Sequence, residues 1–189
     1  NPTTGLPDLP AAEKEADLIG KLFARASLIH RGAAATEQAF VREAPGKEIL
    51  HLASHGVFLP ARPMDSYLAL AGPAGGPQEL RASEILGVDL SVARLVVLSA
   101  CHSGEIDVRA AEERLGLDRA FLHAGAQALV ASLWELSDDS AFELTRKLYE
   151  EMKRGGSPAA ALTSAQRQVK AEARFAHPFY WAALNLVGS

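Results

Sequence analysis

The chain holds one cysteine, Cys101, among its 189 residues. A single thiol cannot close an internal disulfide, so a reducing cytoplasm is the expected home. A basic tract is missing as well. The 19 Lys and Arg are outnumbered by 23 Asp and Glu, and no cluster is dense enough to follow a phosphate backbone. Nucleic acid is therefore not an expected direct partner. Long apolar runs are also lacking. The longest, such as Gly125 to Leu133, fall far short of a membrane span, so no membrane association is expected. There is no internal repeat and no low-complexity tract. What is present suffices for one α/β domain with a sizeable core. Asn1 to Pro10 reads as a turn-rich linker from a missing upstream region, and residues 11–189 read as a single domain.

Hydrophobic spacing places the elements. Ala12, Ala16, Ile19 and Phe23 recur at a helical period across Ala11 to Phe23. Ser27 to His30 is a short strand candidate. Thr36 is placed to cap a helix over Glu37 to Ala44. Glu48 to Ser54 and Leu95 to Ala100 read as central strands, apolar on both faces. Tyr67 to Ala71 is a further strand, followed by a glycine-rich loop from Gly72 to Pro77. That loop lacks the lysine and hydroxyl of a phosphate loop. Ser83 is a candidate cap for a short helix ending at Leu86. Leu115 to Ala124 is helical and stops at Gly125. Leu129 to Trp134 is a third central strand. Ser137 or Asp138 caps a helix to about Arg154. Ser157-Pro158 opens the next, which runs to about Phe175. Trp181 to Val187 is the last strand. Strands alternating with helices predict a mostly parallel central sheet with helices on both faces.

In such sheets the functional groups gather beyond the carboxyl ends of the strands. Three strand ends deliver them here: His55-Gly56 after Ser54, Cys101 to Gly104 after Ala100, and Trp134 to Asp139 after Leu133. If the first two strands are neighbours, His55 and Cys101 lie close enough to act together. An imidazole can take the thiol proton and later protonate a leaving amine. The N–H groups of Gly56 and Cys101 are candidate oxyanion donors. The alternative for Cys101 is a small buried side chain at a strand end. His51 and His55 are four apart, a zinc-ligand spacing on a helix. On a strand, without a matching glutamate, it predicts no metal, and His51 reads as a hydrogen-bonded core histidine. His102, next to Cys101, is expected on local geometry to aim away from the thiol and is the lesser candidate for the base. His123 and His177 read as structural. Glu105 to Glu113 is a charged segment that reads as surface loop or as an activation loop.

The stretches ASHG, from Ala53 to Gly56, and SACHSGE, from Ser99 to Glu105, resemble the two motifs of caspase-like cysteine peptidases. More closely, the chain resembles the CHAT domain, a prokaryotic relative of caspases and separase often fused to tetratricopeptide repeats. Further stretches carry the likeness: Ile49 to Gly56, Leu95 to Gly104, Gly116 to Leu122, Ala124 to Ala126, Ala131 to Trp134, Asp138-Asp139 and His177 to Trp181. The resemblance implies a caspase-like three-layer sandwich, a Cys101–His55 dyad, no cofactor, a protein substrate and an upstream tetratricopeptide-type regulatory region. It also implies a setting in prokaryotic defence or cell death.

Two departures limit what carries over. Ser99 stands where caspases have a glutamine, so aspartate specificity is not implied. Gly104 follows the cysteine by three residues, as in separase. Trp134 to Asp138 resembles the separase segment with an acidic specificity residue, and Asp138 is the matching position. Asp138, Trp134, Glu135 and Ser99 are thus the substrate-binding candidates. A carboxylate at 138 would favour lysine or arginine before the scissile bond. Trp134 reads as a wall for the peptide or as packing on the sheet. An exposed sheet edge near Trp134 is the expected seat of the substrate strand. Two rivals remain: a catalytically silent interaction domain, and a small-molecule amidotransferase. The second is disfavoured because Ser99-Ala100 leaves no glycine for the nucleophile elbow.

Overall fold

The computed structural model describes residues 9–72, 76–99, 115–134 and 136–188. Its centre is a four-stranded sheet ordered β1 (Ile49–Ala53), β5 (Leu95–Ser99), β6 (Ala128–Ser132) and β7 (Leu184–Gly188). β1, β5 and β6 run parallel, and β7 closes the far edge antiparallel to β6. A smaller antiparallel sheet of β2 (His55–Val57), β3 (Tyr67–Ala71) and β4 (Pro77–Arg81) lies between β1 and β5 in the chain. The helices are α1 (Pro10–Phe23), α2 (Glu37–Glu43), α3 (Ala82–Ile85), α4 (Leu115–His123), α5 (Asp138–Lys153), α6 (Pro158–Lys170) and α7 (Pro178–Trp181).

Strand alternation divides the core in two. Val96, Leu98, Leu129 and Ala131 face Phe121, Ile85 and the small sheet. Leu95, Val97, Ala128 and Val130 face Leu148, Tyr149 and Ala165, with Ile19 and Phe23 of α1 packed alongside. A central strand with both faces covered reads as a near-continuous apolar run, and β5 and β6 are apolar up to their closing serines, Ser99 and Ser132. The mixed α/β layering, with helices around a mostly parallel sheet, agrees with a caspase-like sandwich.

Most expected elements are present. Thr36 caps α2 through the Ala39 N–H at 3.1 Å. Ser137, not Asp138, caps α5, accepting from the Ser140 N–H at 3.4 Å.

Several details differ. Ser27 to His30 forms no strand, and among the described residues β1 is the sheet edge on that side. A cleft of about 970 Å³ lies between this segment, α1, α2 and β1. Arg81, not Ser83, precedes α3, and its N–H is held by the Glu84 carboxylate at 2.7 Å. The helix begun at Pro158 stops at Lys170 rather than Phe175, with a 3₁₀ turn over Ala173–Phe175. Trp181 closes a helical turn, and the last strand starts at Leu184. β4 starts at Pro77, where the loop was expected to end.

The segment starting at Gly116 owes its first residue to close packing. A Cβ at Gly116 would lie 1.8 Å from the Pro63 carbonyl oxygen, a backbone atom that cannot swing aside. Gly116→Ala is expected to cost about 3 kcal/mol, by forcing α4 off the turn at Pro63. A lowered urea midpoint would show it, and an unchanged midpoint would contradict the contact.

Candidate functional site

The parallel register of β1 and β5 pairs Ala53 with Ser99. Both strands therefore leave the sheet side by side, separated by the usual ~4.8 Å between neighbours. His55 follows two residues after Ala53, and Cys101 two after Ser99. Cys101 itself lies outside the described residues, as do His102, Glu105 to Glu113 and Glu135.

The neighbourhood of His55 is well defined. After the bend at Ser54, the chain joins the small sheet, with His55 opposite Ala69 and Gly56 opposite Leu68. His55 is 6% exposed, and Ser54 and Gly56 are buried beside it. His55 is thus carried on a paired strand rather than on a loop.

Ser99 is half-buried at the end of β5. Strand alternation puts it on the Leu95 and Val97 face, toward α1 and α5. There it lies near the buried Glu15 carboxylate and helps to lower its pKa. A small cleft of about 30 Å³ opens at this end of the sheet, lined by Ser99, Ser132, Leu136, Thr145 and their apolar neighbours.

Trp134 is 37% exposed and held in two ways. Its indole N–H donates to the Phe179 carbonyl at 2.9 Å, and the two rings stack with centroids 6.5 Å apart. The Ser132 hydroxyl donates to the Trp134 carbonyl. His177 caps α7 by accepting the Phe179 N–H at 3.2 Å, so the His177 to Trp181 stretch fixes the surface on which Trp134 rests. Asp138 is exposed on the first turn of α5, where a carboxylate is favoured by the helix dipole but has no capping duty. β6 is not an edge beside Trp134: β7 pairs along it, and Leu133 N–H donates to the Ala183 carbonyl at 2.8 Å. A substrate strand seated on β6 is thus ruled out, and the outer edge at this corner belongs to β7.

Sequence reasoning missed the buried group behind the site. Glu15 is 1% exposed. Its carboxylate accepts from the Thr145 hydroxyl at 2.7 Å and faces His51 Nε2 at 3.2 Å, while His51 Nδ1 meets the Tyr149 hydroxyl at 3.0 Å. Burial pushes the Glu15 pKa up. The hydrogen bond and charge of His51, with the hydroxyls of Thr145 and Ser99, outweigh that and hold it below the ordinary 4.5. Burial, then the Glu15 charge, raises the Tyr149 phenol well above its ordinary value. An ionised carboxylate only accepts, so His51 Nε2 carries the proton between them. One signal was readable. Glu15 sits three residues after Ala12 and four before Ile19, on the apolar stripe of α1, where a charge needs buried partners.

No group of three or more His, Cys, Asp or Glu among the described residues could hold a metal ion. No helix there is long and apolar enough to cross a membrane.

Comparison with known proteins places this geometry. The chain is similar to tetratricopeptide repeat protein 28 of Homo sapiens and of Mus musculus, 28% identical over 214 residues in each case. The alignments cover 96% of this chain but only 8% and 9% of those proteins. Both relatives are mammalian, so they lend no support to a prokaryotic setting. The CHAT domain family profile matches residues 2–189. With that match over nearly every residue, and with the two motif strands side by side in a layered α/β fold, the chain belongs to the CHAT domain family, one related to caspase-like proteases.

Proposed function

We propose that this domain is a cysteine endopeptidase whose nucleophile is Cys101 and whose base is His55. The observation that carries the reading is the Ala53–Ser99 pairing. It sends both motifs off adjoining parallel strands at the same end of the sheet. In the reaction the Cys101 sulfur attacks the scissile carbonyl carbon, and the N–H groups of Gly56 and Cys101 stabilise the oxyanion. The C–N bond breaks as His55 gives its proton to the leaving amine, which leaves a thioester. Water then attacks as His55 takes its proton, the C–S bond breaks, and the acid product departs. No step needs a cofactor. The substrate is a protein segment bound near Trp134, with Asp138 facing a basic side chain and Glu135 among the substrate-binding candidates. An upstream region of tetratricopeptide type would select the substrate or gate the site, in line with the two mammalian relatives being tetratricopeptide repeat proteins.

A peptide library tests this directly. Cleavage is expected, lost in Cys101→Ala. No cleavage of any peptide or protein under any activating condition would overturn it. Asp138→Ala is expected to lower kcat/KM for peptides with Lys or Arg before the cut by about 10- to 100-fold. Because the residue is exposed, stability should change by no more than about 0.5 kcal/mol. A profile without basic preference would remove Asp138 from the pocket.

A second reading has one observation in its favour. His55 is only 6% exposed, which suits a domain that keeps the motifs but acts through contacts. Absence of labelling by a thiol-reactive peptide probe would select that reading.

A further inference from the structure

The cleft beside β1 is shaped like the place of a strand. It lies between β1 on one side and residues 27–32 on the other. α1 covers one face of it, on the Ile49 side of the sheet, and α2 covers the other, where Phe40 packs with Leu50 and Leu52.

Both sides of the cleft present backbone that makes no sheet bond. The Glu48 carbonyl accepts from the Arg94 and Leu95 N–H groups at 2.8 and 3.2 Å. Alternation then turns the backbone of Leu50 and Leu52 toward β5, and the N–H and C=O groups of Ile49, His51 and Ala53 toward the cleft. Among the described residues no strand pairs with that edge. Across the cleft, residues 28–30 take part in no backbone hydrogen bond among the described residues. Leu28 is left 56% exposed there. Open edges of this kind are templates for a further strand.

The direction of the chain says which strand fits. Glu15 of α1 reaches His51 at the middle of β1, while Ile19, Leu22 and Phe23, later in the helix, pack with Ile49 at its start. α1 thus runs antiparallel to β1 and begins toward the carboxyl end of the sheet. Residues 27–31 return along the far side, parallel to β1, with Arg31 beside Asp17 at 2.7 Å. A strand that precedes α1 and lies parallel to β1 completes a βαβ unit, the usual way of joining parallel strands. The walls are apolar toward both helices: Ala16, Ile19 and Phe23 on one face, Ala39, Phe40 and Ala44 on the other. A strand between them is apolar on both of its own faces. Residues 1–9 do not have that composition, since Pro2, Gly5 and Pro7 are foreign to an inner strand. They suit the connection instead, being ample for a turn into α1 that usually takes roughly 2–6 residues.

We infer that the cleft is the seat of one further strand, a run of about five apolar residues supplied by the chain N-terminal to Asn1. It lies parallel to β1, bonded to it on one side and to residues 28–30 on the other. The upstream region is then joined to the domain through a shared sheet and not through a flexible tether. Its neighbour is β1, the strand that leads to Ser54 and His55. The inference stands whether or not the domain is a peptidase.

Amide hydrogen exchange of the full-length protein, resolved to single residues, tests it. The Ile49, His51 and Ala53 amides are expected to exchange slowly, as the Leu50 and Leu52 amides do through β5. Replacing the apolar run before Asn1 by Gly and Ser of equal length should speed exchange at Ile49, His51 and Ala53 about 10-fold or more, and leave Leu50 and Leu52 within about threefold. This alternation separates loss of the strand from loosening of the whole domain. Fast exchange at Ile49, His51 and Ala53 in the intact protein would overturn the inference, because the edge is then open. Slow exchange that is lost on dilution would also overturn it, by giving the cleft to a second copy. A replacement that leaves all of these amides unchanged has the same effect, as does a full-length sequence with no apolar run close before Asn1. Should the replacement unfold the domain and speed every amide alike, a single proline at the centre of the run takes its place, read by the same alternation.

Discussion

His55→Ala is expected to lower kcat/KM for a cleavable peptide by about 10²- to 10⁴-fold, the usual contribution of a positioned acid–base group. The loss should fall on acylation, where the imidazole both draws the thiol proton and supplies one to the amine. Alkylation of Cys101 by a small reagent needs only the thiolate, so it should fall much less. His55 occupies the first position of β2 against Ala69, and removing a buried ring leaves a cavity. A modest loss of stability should therefore accompany the loss of rate, of the order of 1–3 kcal/mol. The two are separated by assaying well below the melting temperature. If cleavage survives His55→Ala undiminished while Cys101→Ala abolishes it, the base is another group, and His102 becomes the first to test.

Glu15→Ala is expected to be the most destabilising substitution in the domain outside the apolar core, at about 3–5 kcal/mol. It leaves the Thr145 hydroxyl and His51 Nε2 without their common acceptor in a buried environment. Against a typical total of roughly 5–15 kcal/mol, that is a large share. The pH dependence follows from the same carboxyl. Its pKa in the folded chain lies below the ordinary 4.5. Its contribution is therefore complete above that value and is lost as pH falls through the folded pKa. Chemical denaturation at a series of pH values should show stability falling on the acid side, with a shallower fall in Glu15→Gln. Identical acid slopes in the two proteins would contradict this.

The two inner strands of the central sheet were legible because they are apolar on both faces up to their closing serines, a pattern imposed by burial on both faces. Leu95 to Ser99 and Ala128 to Ser132 could be little else. Helix ends were legible where a hydroxyl or glycine marks them, as at Thr36, Ser137 and Ser157. The small sheet was only partly legible. β2 is three residues long and joined to β1 by the single residue Ser54, so its switch to a second sheet leaves no break in the pattern. β4 begins at a proline and continues with Gln78, Glu79 and Arg81, which carry no strand pattern; its pairing to β3 is a tertiary fact. Ser27 to His30 has strand composition, but among the described residues no strand pairs with it.

At the site, the two motifs and their shared end of the sheet were readable from the chain alone. The Ala53–Ser99 register, which makes them neighbours, was not. The partners of Glu15 were also hidden, because Thr145 lies 130 residues away. Phe179 as the seat of Trp134 was hidden for the same reason, at a separation of 45 residues.

The central claim is that His55 serves Cys101. A crystal structure of the domain with a peptide inhibitor bonded to the Cys101 sulfur tests it most directly, since bound inhibitor brings the site to its working shape. The account predicts the nearer His55 ring nitrogen about 3 to 4 Å from that sulfur, with the Gly56 and Cys101 N–H groups directed at the inhibitor oxygen. A separation beyond about 6 Å with the inhibitor in place, or a different side chain at hydrogen-bond distance from the sulfur, would contradict it.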